Sequence, residues 1–394
     1  MKPLRLAVPV AMAALLAACG GSSSSSSDPL ADATPTYAAL AMDRTAADTS
    51  PAALASGSAG LGTALLGAGS DCHPHLFLRT HEVVERVNRH LWKFLRHVER
   101  AIARKPTIAT GTTEVWESVE NGLDRRFTVT RQGDATFSWK LELADTTAAS
   151  PQFVTVFTGT IDRTGATGPH QGTGQLALDL TALHGVVPAE RVQGLVTAAF
   201  ASTAASRKLE VTAADVTWEV VDASADAATI AALEAPRSGH YVYFREPGTG
   251  GSLKIEDQMV FLCPANPGLE LADVELVSRW YRLADGSVHG RSDALMTGGQ
   301  LAAPVANVQG VTCHASPGEA SPDAESFWLM KAEDAAGATV AGKAWSSEAA
   351  GGATAAACDA AFGPVPDLAG PSGDFDFAAV AFADASVVAF PNMK

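Results

Sequence analysis

The sequence predicts a mainly β protein: a curved antiparallel sheet, open half-barrel or barrel-like, with one long amphipathic α-helix packed on it. Three observations carry this. Beyond Pro106 the apolar residues recur with a period of two, as in Phe137, Trp139, Leu141 and Leu143, which alternate with Ser, Lys and Glu. Turn signals such as Asn121-Gly122, Gln132-Gly133-Asp134, Arg163-Thr164-Gly165 and Asp285-Gly286 separate these runs at short intervals. Only one long segment, 80–105, has the helical period instead.

The chain opens with Lys2 and Arg5, an uncharged apolar run over 6–15, and Leu16-Ala17-Ala18-Cys19. A short basic segment, a short apolar segment and small residues describe a secretory signal peptide over 1–18. The ending resembles the lipobox of bacterial lipoproteins cleaved by signal peptidase II. That resemblance implies a diacylglycerol thioether and an acylated amine on Cys19. Gly20 rather than Asp follows, which in enteric lipoproteins implies release to the outer membrane. More than one acyl chain gives stable anchoring, so the membrane is an expected partner without a spanning segment. The apolar run Leu6 to Ala18 is itself shorter than the roughly 20 residues a spanning helix needs.

Residues 19–70 are expected to form a lipidated Cys and flexible tether, since Gly-Gly and six Ser follow Cys19 and low-complexity Ala, Ser, Thr, Asp and Gly continue. The apolar patch 59–69 suggests a loose helix within it. The β-rich domain is expected over 71–394, with the helix near its start.

In that helix Val84, Val87, Leu91, Leu95, Val98 and Ile102 fall on one narrow arc, with Phe94 at its edge. Thr80 is the candidate N-cap, Pro74 marks an alternative earlier start, and Pro106 ends the segment. The opposite arc holds Arg86, Arg89, Lys93, Arg96, Arg100 and Arg104. Over 79–105 there are eight basic and three acidic residues, in a chain of formal charge −15. This basic face is either a solvated surface or an attraction point for anionic lipid or an anionic envelope partner.

Strands are expected at 112–119, 125–131, 136–144, 152–162, 173–181, 191–200, 207–221, 240–246, 252–262, 274–283, 288–295, 307–313 and 325–333, with one further helix at 225–233. So many strands need a closed barrel, a sandwich or an open half-barrel to manage their edges. One helix ahead of them favours a curved sheet with that helix across its concave face. This arrangement resembles the open half-barrel of bacterial lipoprotein carriers in architecture only, and fold alone does not carry function.

Strong acidity argues against nucleic acid as a partner. Besides Cys19 there are Cys72, Cys263, Cys313 and Cys358, none in a CxxC pair. In an exported chain, four cysteines suggest two disulfides with three connectivities open. Cys313–Cys358 with Cys72–Cys263 is preferred because the first closes the shortest loop.

No GxSxG, GxxxxGK or HExxH motif occurs. His81 to Glu85 lacks the second His of a zinc-protease helix. Cys72-His73-Pro74-His75 offers His73 and His75 as weak metal candidates, with His81 a third. His90 and His97 are weak haem candidates, and Asp374-Phe375-Asp376 lacks the remaining ligands of a calcium loop. No cofactor is expected. The expectation is a non-enzymatic cell-envelope lipoprotein, structural or binding an apolar ligand or envelope partner. The alternatives are a lipoprotein hydrolase, and a metal or haem binder through the Cys72–His75 turn.

Overall fold

A computed structural model describes residues 28–42, 73–120, 122–204, 206–217, 235–246, 250–259, 272–282, 288–298, 301, 303–316 and 325–346. Its elements in chain order are α1 (Pro29–Asp32), α2 (Tyr37–Leu40), α3 (Leu76–Ile102), β1 (Ile108–Ala109), β2 (Thr113–Glu120), β3 (Leu123–Arg131), β4 (Thr136–Asp145), β5 (Val154–Asp162), β6 (Gly172–Asp179), α4 (Leu180–Val186), β7 (Gln193–Ser202), β8 (Arg207–Thr217), β9 (Arg237–Glu246), β10 (Gly250–Met259), β11 (Ala272–Arg282), β12 (Val288–Thr297), β13 (Asn307–Ser316), β14 (Glu325–Glu333) and β15 (Thr339–Ser346).

All fifteen strands form one antiparallel sheet in strict sequence order, each strand bonded to the next. A meander of this kind needs only hairpin connections, which is why turn signals were so legible. The first and last strands do not pair with each other, so the sheet is open. Closure into a barrel, one of the sequence-based options, does not occur.

The alternation predicted for 136–144 is realised in β4, where Phe137, Trp139, Leu141 and Leu143 are buried and Thr136 and Lys140 are exposed. The same face continues across the sheet through Phe127, Phe157, Leu176, Phe200, Leu209, Tyr243, Leu253, Leu276 and Met330 in one contiguous cluster. Trp139 stacks near Phe157 and Phe200, with centroids 5.9 and 6.2 Å apart.

The helix α3 begins four residues before the expected 80 and ends three before the expected 105. Its N-cap is His75, at φ 44, with no side-chain capping bond. Thr80 is therefore not the cap. Its hydroxyl bonds back to the Leu76 carbonyl at 3.0 Å and meets Ser278 Oγ, which lies 2.6 Å from Ser292 Oγ. Burial is also wider than one stripe. Leu76, Phe77, Thr80, Val83, Val84, Asn88, Phe94, Leu95 and Val98 are all buried, covering an arc of about 140° at 3.6 residues per turn. Val87, Leu91 and Ile102, expected in the stripe, are only half-buried. The narrow-arc reading underestimated burial because Thr80 and Asn88 are polar and the arc was drawn on aliphatic residues.

Two glycines seat the start of the helix. A Cβ on Gly290 in β12 would enter the Phe77 ring, and one on Gly310 in β13 would press on Leu76 at 3.2 Å. At the other end, the Trp116 indole N–H of β2 donates to the Arg104 carbonyl at 3.0 Å.

The expectation of a tether across 19–70 does not hold at 28–42. Leu30, Ala33, Leu40 and Met42 are buried in the main cluster. Asn88 clamps this segment, accepting from Met42 N at 2.8 Å and donating to Met42 O at 2.8 Å. Trp139 Nε1 donates to Ala33 O at 3.0 Å. Alternation and period carry no trace of such contacts, because they join residues far apart in the chain. The apolar patch 59–69 and the helix expected at 225–233 lie outside the described residues.

Thirteen expected strands occur as β2 to β14. Two were not foreseen: the two-residue β1, and the edge strand β15, which has no buried residue and so lacks a buried apolar alternation. The strand expected over 173–181 stops at Asp179. The Leu176, Leu178, Leu180 alternation runs on, but the Asp179 carboxylate accepts from Ala182 N at 2.7 Å and starts α4.

The docked segment also creates a pH-sensitive contact. Glu114 of β2 is buried, and burial, with the Asp28 carboxylate beside it, lifts its pKa to about 7 from an ordinary 4.5. The folded chain thus keeps a proton that the unfolded chain releases, so this contact is most stabilising in acid and weakens as pH rises from 4.5 to 7. Glu114→Gln is expected to flatten that part of the stability–pH curve and to raise the melting temperature at pH 8. Denaturation at stepped pH checks it, and an unchanged slope refutes the assignment.

Candidate binding cleft

The period-two pattern of β3 puts Leu123, Arg125, Phe127 and Val129 on one face, and Phe127 and Val129 are core residues. Arg125 is thus a guanidinium on the inward face of the sheet, paired in register with Leu143 of β4. Its side chain is only 12% exposed. A buried cation is costly unless something compensates it, so this position is the natural starting point for a site.

Around it lies a cleft of about 510 Å³. Leu141 and Leu143 of β4, Leu123 of β3, Phe94 of α3 and Leu180, Leu183 and Val186 of α4 give it apolar walls. Local structure explains their placement. Gly122, at φ +76, makes the tight turn that sends β3 back along β2. Asp179 caps α4, and the loop after it is closed by His184 Nδ1 donating to the Glu190 carbonyl at 2.7 Å. Val187, Pro188 and Val192 complete that wall.

Three arginines share the cleft: Arg96 and Arg100 from α3, and Arg125. Arg125 pairs with Glu120 at 3.4 Å, and Glu120 is itself largely exposed. Desolvation pulls the Arg125 pKa down. Glu120 opposes that, while Arg100 and Arg96 add to it, which shows the three cations close enough to repel. The Arg96 guanidinium lies over the Trp92 ring, 4.5 Å from its centre. Among the described residues, neither Arg96 nor Arg100 makes an ion pair, and the Nε atoms of Arg96 and Arg125 are buried without a hydrogen-bond partner.

The remaining acids on the rim are Asp145 and Glu190. Asp145 accepts from the Thr147 hydroxyl and amide at 2.6 and 2.8 Å, which hold its carboxyl below the ordinary range. It serves its own turn. Glu190 already has an interaction of its own.

The residues singled out from sequence fare unevenly. Of the basic face, Arg96 and Arg100 enter the cleft, Arg89 is half-buried and Arg104 is exposed. The side chains of Arg86 and Lys93 lie outside the described residues, as do those of His90 and His97. Cys313 is buried in β13, whereas Cys19, Cys72, Cys263, Cys358 and Asp374 to Asp376 lie outside the described residues. His73 and His75 stack on each other with centroids 3.7 Å apart, and His73 stacks on Trp328 at 4.6 Å. That is aromatic packing at the helix start. Among the described residues no group of three His, Cys, Asp or Glu could hold a metal, His81 included.

Sequence reasoning missed Arg125 and the α4 wall. The signal for Arg125 was present as a charge on the apolar face of a strand. Compared with protein-family models, curated proteins and solved structures, the chain matches none.

Proposed function

We propose that this chain is a lipid-anchored protein of the bacterial outer membrane whose folded body binds an apolar ligand without transforming it. In this reading signal peptidase II releases residues 1–18, acyl chains on Cys19 hold the membrane, and the sheet serves as an open half-barrel crossed by α3. The observation that carries the binding role is the cleft. Its apolar walls and its volume of about 510 Å³ suit a small-molecule site, which typically spans roughly 300–1,000 Å³. Among the described residues its polar side chains are arginines, carboxylates and Thr147, whose hydroxyl is bonded to Asp145. The envelope cysteines belong to the same reading as disulfide formers.

Two measurements test the proposal. Metabolic labelling with an alkyne fatty acid should mark the wild type and not Cys19→Ala, and label surviving that substitution refutes the anchor. The neutral dye Nile red should bind the full chain carrying Cys19→Ala saturably, with blue-shifted emission. Leu143→Asp, which charges the cleft wall, should weaken that binding by about tenfold or more. No saturable dye binding refutes the ligand role.

A further inference from the structure

We propose that the cleft selects a single-chain amphiphile with an anionic head, the head held by Arg96, Arg100 and Arg125 and the chain laid along the apolar walls. This rests on the reading of the cleft as a ligand site and adds the chemistry of the ligand.

The argument is one of unmet charge. Three guanidiniums converge on one mouth, and among the described residues their ion-pairing is the single Arg125–Glu120 contact at 3.4 Å. Arg125 is 12% exposed, too little for water to screen it well. The buried Nε atoms of Arg96 and Arg125 lack partners, although a guanidinium is a donor array suited to carboxylate and phosphate. Asp145 is held by Thr147, so this rim acid does not meet that need. An anion bridging the arginines removes their mutual repulsion. The same cleft that the arginines line has apolar walls, among them Phe94, Leu123, Leu143 and Leu183. A fully polar anion leaves that surface wet, and a neutral hydrocarbon leaves the cations uncompensated. A head and tail joined in one molecule satisfies both.

The test is displacement of Nile red from the full chain carrying Cys19→Ala. The competitors are laurate, lauroyl lysophosphatidate, dodecanol and dodecyltrimethylammonium, each below its micelle concentration. Charge-assisted hydrogen bonds predict that the anions displace the dye at least about tenfold more tightly than dodecanol, and that the cation is weakest. Comparing laurate with the lysophosphatidate separates a carboxylate from a phosphate head. Arg125→Gln, and separately the exposed Arg100→Gln, should weaken laurate about tenfold while leaving dodecanol within about twofold. Raised salt should weaken laurate more than dodecanol. Equal displacement by all four competitors, unaffected by either substitution, overturns the anionic head and leaves the apolar site standing. Failure of every amphiphile to displace the dye overturns this inference and argues that the dye reads another surface.

Discussion

Phe77→Ala is expected to lower the unfolding free energy by about 3–5 kcal/mol, the range for deleting a fully buried aromatic ring. Phe77 has 0% exposure, and its ring covers the bare backbone of Gly290. Removing it leaves a void between α3 and β12 that the sheet is poorly placed to fill. Leu91→Ala should cost far less, because Leu91 is only half-buried. Gly290→Val alone should also destabilise, since its side chain enters the Phe77 ring. Combined with Phe77→Ala it should recover part of the loss, as the valine occupies the vacated space. Denaturant unfolding of the wild type, Phe77→Ala, Gly290→Val and the double variant forms a double-mutant cycle. Additive losses with no recovery would show that Phe77 and Gly290 do not meet as described.

Asn88→Ala should cost about 2–6 kcal/mol, because it strands both backbone groups of Met42 in a buried site, at about 1–3 kcal/mol for each unsatisfied group. Asn88 has 0% exposure, and its amide is the two-pronged clamp on residues 28–42. The loss should be local in its readout. Amide hydrogen exchange over 28–42 should accelerate while the inner strands β4 and β7 stay protected. Asn88→Asp keeps the acceptor for Met42 N but turns a carboxylate toward Met42 O, so it too should release the segment. Unchanged exchange over 28–42 in both variants would mean that burial of Leu30, Leu40 and Met42 holds the segment without the clamp.

The cleft shows where legibility stopped. Arg96 and Arg100 were visible as members of a basic helix face, yet two readings of that face remained because a helical wheel says which residues share an arc and not what faces it. Arg125 was visible as a charge on an apolar strand face, but its meaning depends on a helix over 20 residues away in sequence. The apolar wall from α4 was hidden outright. Leu176, Leu178 and Leu180 alternate as a strand should, and one capping bond from Asp179 turns the chain into a helix instead.

By itself the sequence determined the mainly β character, the antiparallel order and the positions of β2 to β14, because side-chain alternation and turn chemistry are local properties of the backbone. It also determined that one long helix stands ahead of them. Only the tertiary structure decided that the sheet stays open, that 28–42 docks through Asn88, that Phe77 seats on Gly290, and that three arginines crowd one apolar cleft. Each of these depends on contacts between residues far apart in the chain, and no period of two or 3.6 residues encodes such distances.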